Sequence, residues 1–261
     1  MKKFEFENIK HNKILIITDI HHCDIEKWGG LTLEERMKHL TDNVSMQYEK
    51  DPFDLILCLG DYSLDFWEWS IGGSFLHTPP VSNTAEFIKN VCPKFPTNAY
   101  IIPGNHEQYG NEKWNEITGF DREYYLVYGD YVFFMADTFG GDLDPTVNAD
   151  GTYTGVNTDA LKNILNEYPD KKVILCVHDL YPTDESEELK KLIRENNRII
   201  CTFAGHIHKS ITLILNDEWR NMPVFYCGDY SYCDDPNKSI NWGFRTLQLD
   251  DGFSTDYITT K

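Results

Sequence analysis

Five short runs of β-branched and other apolar residues recur along the chain, and each ends abruptly in polar residues. The runs are residues 13–18 (KILIIT), 54–59 (DLILCL), 99–102 (AYII), 172–177 (KVILCV) and 199–204 (IICTFA). Runs of this length and composition are typical of β-strands. The chain is therefore predicted to contain five strands, each followed directly by a polar loop.

Segments with helical periodicity separate these runs. Thr32 with Glu35 fits a capping box, and Asn83 with Glu86 repeats the pattern. Apolar stripes at helical spacing follow the first box and recur over residues 161–168 and 189–193. Strands that alternate with helices predict an α/β core.

Beyond residue 120 the pattern changes to antiparallel strands. Residues 123–128 and 131–137 flank Gly129-Asp130, which is a two-residue hairpin signal. Further strand segments follow at residues 211–215, 224–230 and 244–249. The expected architecture is two packed sheets with helices outside them.

The length and apolar content suit one hydrophobic core. With 261 residues, of which 41% are hydrophobic, a single domain over residues 1–261 is expected. Loop insertions are predicted at about 62–82 and 107–122. The first of these is predicted to be a long aromatic loop without a clear period, and long loops in compact domains are often functional.

Charge and cysteine content narrow the possible partners. The formal net charge of −18 repels phosphate backbones and anionic lipid, so long nucleic acid is a disfavoured partner. No apolar run approaches the roughly 20 residues that span a bilayer, and the N-terminal residues lack the apolar stretch of a signal peptide. The seven cysteines include no C-x-x-C pair. Reduced thiols, a cytoplasmic location and no membrane association are expected, while the oligomeric state stays open.

Each predicted strand runs into residues that can bind metals. In chain order these blocks are Asp19-Ile20-His21, Gly60-Asp61, Gly104-Asn105-His106-Glu107, His178 and Gly205-His206-Ile207-His208. In α/β sheets, ligands bind beyond the carboxyl ends of the strands. Segments that are distant in sequence are therefore expected to bring these side chains to one place.

The residue types in the blocks point to divalent metals. Carboxylates, imidazoles and one amide oxygen suit manganese, iron, zinc or nickel. Asp-x-His and His-x-His at strand ends are predicted to place alternate side chains on one side, so that both members of a pair can face one ion. The carboxylate of Asp61 can bridge two ions about 3.5–4 Å apart. Gly60, Gly104 and Gly205 allow the backbone to approach the site closely.

The five blocks D-x-H, G-D, G-N-H-[DE], H and G-H-x-H occur complete and in order. In this respect the chain resembles the calcineurin-like metallophosphoesterase superfamily, over about residues 14–208. The resemblance implies a four-layer α/β/β/α sandwich, in which two mixed sheets are flanked by helices. It also implies hydrolysis of phosphate esters at a binuclear metal centre.

The resemblance also assigns roles to individual residues. It implies one metal bound by Asp19, His21 and His208. It implies a second metal bound by Asn105, His178 and His206, with Asp61 as the bridge. His106 would be a catalytic residue that stabilises or protonates the leaving-group oxygen. The two divalent transition-metal ions, with manganese the first choice in vitro, would supply a bridging hydroxide and hold the phosphoryl oxygens for in-line attack.

Aromatic residues follow the motif blocks directly. Tyr62, Trp67 and Tyr109 are candidates for a pocket wall that stacks on a base or aryl group of the substrate. The alternative is a lid that is buried against the domain. Asp65 is a candidate for orienting His106.

Departures from subfamily patterns bear on the substrate. The second block lacks the arginine of the protein-phosphatase pattern G-D-x-V-D-R-G, and Leu64 stands where purple acid phosphatases have a tyrosine ligand. His106 is present for a poor leaving group, and no arginine lies near the motifs to hold a dianionic monoester. A small phosphodiester is the preferred substrate. A phosphomonoesterase for nucleotides or small phosphates is the main alternative, followed by a nuclease and by a non-catalytic scaffold.

Overall fold

The architecture is seen in a computed structural model that describes residues 1–23, 30–65, 67–69, 75–77, 82–231, 241–250 and 252–260, with the backbone alone for 67–69 and 75–77. In chain order the strands are β1 Lys2–Phe6, β2 Lys13–Ile17, β3 Leu55–Leu59, β4 Trp67–Trp69, β5 Phe75–His77, β6 Ala99–Ile102, β7 Tyr124–Tyr128, β8 Tyr131–Met135, β9 Lys172–Cys176, β10 Ile199–Ala204, β11 Thr212–Ile214, β12 Pro223–Tyr226, β13 Gly243–Gln248 and β14 Ser254–Thr259. The α-helices are α1 Leu33–Lys50, α2 Asn83–Asn90, α3 Asn111–Thr118, α4 Thr158–Glu167 and α5 Glu187–Glu195.

Two mixed sheets form the centre of the fold. The larger sheet has seven strands in the order β1-β7-β8-β9-β10-β12-β11, and the smaller has five in the order β14-β13-β2-β3-β6. Strands β8, β9, β10 and β12 run parallel, as do β2, β3 and β6. Antiparallel pairs occur in both sheets, for example β7 with β8 and β13 with β2. The predicted pair of mixed sheets is confirmed.

Alternate residues of the central strands pack into different layers. In β2, Ile14 and Ile16 lie in the cluster between the two sheets, whereas Leu15 and Ile17 pack on the side of α1, α2 and α3. The outer face of the larger sheet packs against α4 and α5. Burial of each such side chain contributes roughly 1.5–3 kcal/mol. Strands that are buried on both faces thus form the two inner layers of an α/β/β/α sandwich.

Most predicted elements lie within two or three residues of the observed ones, and the differences have local causes. Thr32 and Glu35 form the predicted capping box at α1. The cap of α2 is Ser82 rather than Asn83, because the Ser82 hydroxyl accepts a hydrogen bond from the Ala85 amide at 3.1 Å. The insertion predicted at 107–122 contains α3. The insertion predicted at 62–82 contains the antiparallel pair β4–β5, and residues 66, 70–74 and 78–81 lie outside the described part of the chain.

Edge strands β1 and β14 were not predicted from the sequence. Their residues alternate between exposed and half-buried positions, so neither forms an apolar run. No helix within the described residues is both long enough and apolar enough to cross a lipid bilayer.

Candidate metal centre

The predicted blocks meet beyond the carboxyl ends of strands from both sheets. Ligand-type atoms of Asp19, His21 and His208 lie within 4.8 Å of one another, and we call these residues the first group. Those of Asp61, His178 and His206 are equally close. The Asn105 Oδ1 atom lies 2.9 Å from Nε2 of His178, and we call Asn105, His178 and His206 the second group. The structure thus brings all seven predicted ligands together.

The Asp61 carboxylate lies between the two groups. Its Oδ2 atom is 3.2 Å from Nε2 of His178 and 3.7 Å from Nε2 of His21. Its Oδ1 atom accepts a hydrogen bond from the backbone amide of His106 at 3.1 Å. Oδ2 therefore faces both groups, as a ligand shared between two ions would.

Acceptor atoms converge in the second group. Nδ1 of His178 donates to the carbonyl of Leu59 at 2.7 Å, so Nε2 is the nitrogen that carries the lone pair when the ring is neutral, as it is in a metal ligand. Nδ1 of His206 lies 3.1 Å from the Asn105 Oδ1 atom and 3.3 Å from Nε2 of His178. In the tautomer that leaves Nδ1 of His206 without a proton, three acceptors meet at these distances, and they repel one another unless a cation lies among them. Imidazole and amide donors of this kind fit a divalent transition metal.

A buried carboxylate lies at the centre of the first group. Oδ2 of Asp19 accepts hydrogen bonds from the Thr18 hydroxyl at 2.7 Å and from the His206 amide at 2.9 Å. Oδ1 is buried, and its close polar neighbour among the described residues is Nε2 of His208, 3.1 Å away. Such an oxygen is costly to bury without a partner, and a cation offsets that cost.

The backbone at the ligands is held in an uncommon conformation. The φ angle is 53° at Asp19, 48° at His21, 48° at Asp61, 65° at His206 and 52° at His208. The left-handed region costs a residue with a Cβ roughly 1–2 kcal/mol. Sharp turns, rather than the pleat of an extended strand, therefore direct these side chains. We expected both members of the pairs Asp19/His21 and His206/His208 to face one ion. This expectation is wrong for the second pair, because His206 and His208 belong to different groups.

Glycines permit the close approach of the blocks. A Cβ atom on Gly60, which has a φ of 86°, would lie 2.6 Å from Nδ1 of His178. A Cβ on Gly205 would lie 2.6 Å from Oδ2 of Asp19. Both distances are too short for a carbon atom, so a side chain at either position would push the blocks apart.

Burial and nearby charges alter the pKa values of the clustered groups. Burial and the neighbouring His208 lower the pKa of His21 to about 3, which keeps its ring neutral. Burial also acts to lower the pKa of His178, but the Asp61 and Asp19 carboxylates outweigh it and raise the pKa to about 10. Strong perturbation by burial together with specific charges is typical of functional sites.

Glu107 has a supporting role that its sequence position did not reveal. Its buried carboxylate accepts hydrogen bonds from the amides of Asp61 at 2.9 Å, Gly104 at 2.7 Å and Ser63 at 2.9 Å. Burial and the charge of Asp61 nevertheless raise its pKa to about 8. Glu107 thus ties the second and third blocks together. In the sequence, only the place of Glu107 directly after Gly104-Asn105-His106 could have indicated that it belongs to the centre.

Arg36 of α1 is a second residue that was missed. Its buried guanidinium donates to the carbonyls of His21 at 3.2 Å and Cys23 at 2.8 Å, and to the Ser231 hydroxyl at 2.9 Å. These bonds hold the backbone of the first block against α1. On the sequence, Arg36 is simply a charged residue beside an apolar stripe, and nothing indicates that it is buried.

His106 lies at the rim of the centre. Its side chain is 16% exposed, and Nε2 is 4.0 Å from Oδ2 of Asp61. Asp65 accepts hydrogen bonds from the hydroxyls of Ser82 and Tyr109 and from the amides of Asn83 and Thr84, at the start of α2. The carboxylate of Asp65 thus caps a helix, and its proposed orienting action on His106 stays a prediction.

The aromatic residues beside the centre differ from those predicted. Tyr62 is fully buried and packs against Phe87 and Trp114, which fits the alternative of a ring buried against the domain rather than a pocket wall. The Tyr109 hydroxyl binds Asp65, and the side chain of Trp67 lies outside the described residues. Phe139 packs against His178 and His206, and Tyr181 packs against His206. Tyr153 lies behind them and contacts the Tyr181 ring.

Comparisons with known proteins agree with this architecture. The sequence model of the calcineurin-like phosphoesterase family matches residues 12–210 of this chain. A search of curated proteins gave no match. GAP50, the anchor in the inner membrane complex of Plasmodium, is similar with a TM-score of 0.59 and 12% identity, over 95% of this chain and 84% of that one. A 5'-nucleotidase from Candida albicans has a TM-score of 0.52 and 15% identity, over 99% of this chain and 53% of that one.

These similarities carry different weight. At such low identity, likeness to GAP50 and to the nucleotidase shows the fold, and this chain spans about half the length of the nucleotidase. The family match extends over well more than half of the chain and contains all five blocks. The chain therefore belongs to the calcineurin-like phosphoesterase family and is a metal-dependent hydrolase.

Proposed function

We propose that the chain hydrolyses small phosphodiesters at a centre that holds two divalent metal ions. The observation that supports this most directly is the position of the Asp61 Oδ2 atom. It lies 3.2 Å from Nε2 of His178 in the second group and 3.7 Å from Nε2 of His21 in the first. A carboxylate oxygen between two sets of ligands suits a pair of ions about 3.5–4 Å apart.

Each group would hold one ion. Asp19, His21 and His208 would bind the first, Asn105, His178 and His206 would bind the second, and Asp61 would be shared. Two such ions, when bound, supply a hydroxide nucleophile near neutral pH and positive charge beside the phosphoryl oxygens. Manganese is the first metal to test, and iron, zinc and nickel suit the same donors.

His106 would act on the leaving group. Its backbone amide binds Oδ1 of Asp61, which places the partly exposed ring beside the centre. An imidazole in this position can donate a proton to the oxygen that departs from phosphorus. This step matters most for substrates with a poor leaving group.

Charge supports a diester over a monoester. A diester carries one negative charge, whereas a monoester dianion is commonly held by a guanidinium group. Arg36 and Arg245 are buried and donate to backbone carbonyls, and Arg122 pairs with Asp137 at 2.6 Å. These three guanidinium groups already have partners. The net charge of −18 further opposes a long nucleic acid as substrate.

A phosphomonoesterase is the second candidate, because the similar Candida albicans structure is a 5'-nucleotidase. A non-catalytic role is a third, since GAP50 is described as an anchor. The candidates differ in metal content and in substrate preference, and both can be measured on the same preparation.

The test begins with metal analysis of the protein as isolated and after addition of manganese. A panel of bis-aryl, mono-aryl, cyclic-nucleotide and nucleotide esters is then assayed. We expect about two ions per chain and faster turnover of diesters than of monoesters. A His11→Ala variant, altered at the opposite end of β2, serves as the control for loss of an imidazole.

Each alternative result has a clear meaning. Two ions with faster turnover of monoesters would favour the phosphomonoesterase. A protein that binds no transition metal and turns over none of these esters would overturn the proposal and favour the anchor-like role.

A further inference from the structure

The two histidines of the second group present different ring nitrogens to its centre. His178 turns Nε2 inward, because its Nδ1 donates to the Leu59 carbonyl at 2.7 Å. His206 turns Nδ1 inward, 3.1 Å from Oδ1 of Asn105. A neutral imidazole binds a metal only through the nitrogen that carries no proton. His206 therefore needs its proton on the outward nitrogen, Nε2.

Two groups surround the outward nitrogen of His206. The Tyr181 hydroxyl lies 2.9 Å from Nε2, and Oδ2 of Asp179 lies 3.8 Å from it. A hydroxyl can either accept or donate a hydrogen bond, so Tyr181 by itself is compatible with either tautomer. The negative charge of the Asp179 carboxylate selects one tautomer, because it favours a proton on Nε2, the nitrogen of His206 that faces it.

The orientation of Asp179 is itself constrained. Its Oδ1 atom accepts hydrogen bonds from the Leu180 amide at 2.7 Å and from the Tyr226 hydroxyl at 3.3 Å. Oδ2 is buried and is the oxygen that points toward His206, and the Tyr181 hydroxyl also interacts with this carboxylate. A buried carboxylate oxygen gains most from a nearby N–H group.

We propose that Asp179 and Tyr181 are positioning residues that keep the proton of His206 on Nε2 and so present Nδ1 as a ligand to the second ion. The inference rests on the proposed function, since it takes His206 as a metal ligand. Outer hydrogen-bond partners of this kind orient ligands and typically contribute 10–100-fold to metal affinity. The side chain that follows His178 in sequence thus supports a ligand that comes from another strand.

The first test measures manganese affinity at each of the two sites. We expect Asp179→Asn to weaken one of the two sites by roughly 10–100-fold and to leave the other unchanged. Tyr181→Phe should weaken the same site by a smaller factor. The double variant should lose less than the sum of the two single effects, because both side chains act on one imidazole.

The second test observes the tautomer of His206 directly. Nitrogen-15 NMR of histidine-labelled protein without metal should show the proton of His206 on Nε2 in the native chain and a mixture of tautomers in Asp179→Asn. A purely structural role would not change this signal. Tyr125→Phe is the matched control, since it also removes a tyrosine hydroxyl that binds a carboxylate, that of Glu167 at 2.9 Å.

The outcomes separate the two proposals. If the native chain fails to bind two ions, the proposed function fails. If it binds two ions and both variants keep native affinity and the native tautomer, this inference alone is overturned. Tyr181→Phe, at a partly exposed position, keeps the test decisive should Asp179→Asn fail to fold.

Discussion

The two groups of the candidate metal centre are held in different ways. In the first group, Asp19, His21 and His208 all have left-handed backbone, with φ between 48° and 53°. In the second group only His206 does, while Asn105 and His178 have ordinary backbone. The second group is instead braced through its side chains, by the Leu59 carbonyl and the Tyr181 hydroxyl.

This difference shows two routes to a preformed site. The first group is positioned by strained turns that backbone hydrogen bonds secure, such as the amide of His21 to the carbonyl of Asp61 at 2.9 Å. The second is positioned by control of which ring nitrogen is free. Changes to backbone supports should therefore affect the first group, and loss of side-chain partners should affect the second.

Asp61→Asn should have the largest effect, because it alters the one carboxylate that faces both groups. We expect the content of bound ions to fall at both sites and affinity to fall by more than the 10–100-fold that loss of an outer partner causes. Metal analysis after dialysis measures this. Asp54→Asn, just before the opposite end of β3, is the matched control. Unchanged ion content in Asp61→Asn would show that the groups are independent.

His106→Ala should come next, since His106 belongs to neither group. Both ions should stay bound, and kcat should fall by about 10²–10⁴-fold. The loss should be larger for cyclic nucleotides than for nitrophenyl esters, whose leaving group needs no proton. Steady-state assays with parallel metal analysis test this. Equal losses for both substrate classes would argue against a proton donor.

Arg36→Lys should weaken the first group selectively. A lysine ammonium cannot replace the planar guanidinium of Arg36, whose two terminal nitrogens donate to the carbonyls of His21 and Cys23 at the same time. We expect the free energy of unfolding to fall by about 1–3 kcal/mol and manganese to bind less tightly at one site. Urea unfolding and manganese titration measure the two effects. This variant is the counterpart of Tyr181→Phe, which should weaken the other site.

Arg198→Lys is the control for this comparison. Arg198 also donates to two carbonyls, those of Tyr168 at 2.7 Å and Leu165 at 3.0 Å, but it lies apart from the centre. It should lose stability without any change in metal affinity. If both arginine variants changed metal affinity equally, the selective support of the first group would be disproved.

Glu123→Gln should have the smallest effect, and it measures what the loss of a half-buried carboxyl outside the metal centre does to stability. Burial raises the pKa of Glu123 from its ordinary 4.5 to about 7. Because the carboxyl binds its proton more tightly in the folded chain than in the unfolded chain, the proton stabilises the fold. This contribution is complete below pH 4.5 and is lost as the pH rises through 7. The glutamine variant should thus gain relative stability between pH 5 and pH 8, on the order of 1 kcal/mol or less because the group is partly exposed. Thermal unfolding at both pH values tests the sign.

Much of the fold could be predicted from local sequence. The central strands are apolar on both faces, and the capping box at Thr32 is contained within four residues. Edge strands β1 and β14 could not be predicted, because an edge strand buries little and needs no apolar run. The choice between a pocket wall and a buried ring for Tyr62 could not be made from the sequence for a related reason. Its neighbours in sequence are polar motif residues, and only the packed structure brings Phe87 and Trp114 against it.

Local sequence specified which residue types stand at the ends of five strands, and hence the donor atoms and the family. The family resemblance implied how those donors are divided between two ions, whereas the folded chain established which ring nitrogen each histidine presents. It also revealed the contacts by which Glu107 and Arg36 hold the ligand blocks, and those by which Asp179 is proposed to orient His206. The difference lies in the separation of the interacting residues along the sequence. Strand and cap signals arise between neighbouring residues, whereas Glu107 contacts Asp61 across 46 positions and Tyr181 contacts His206 across 25.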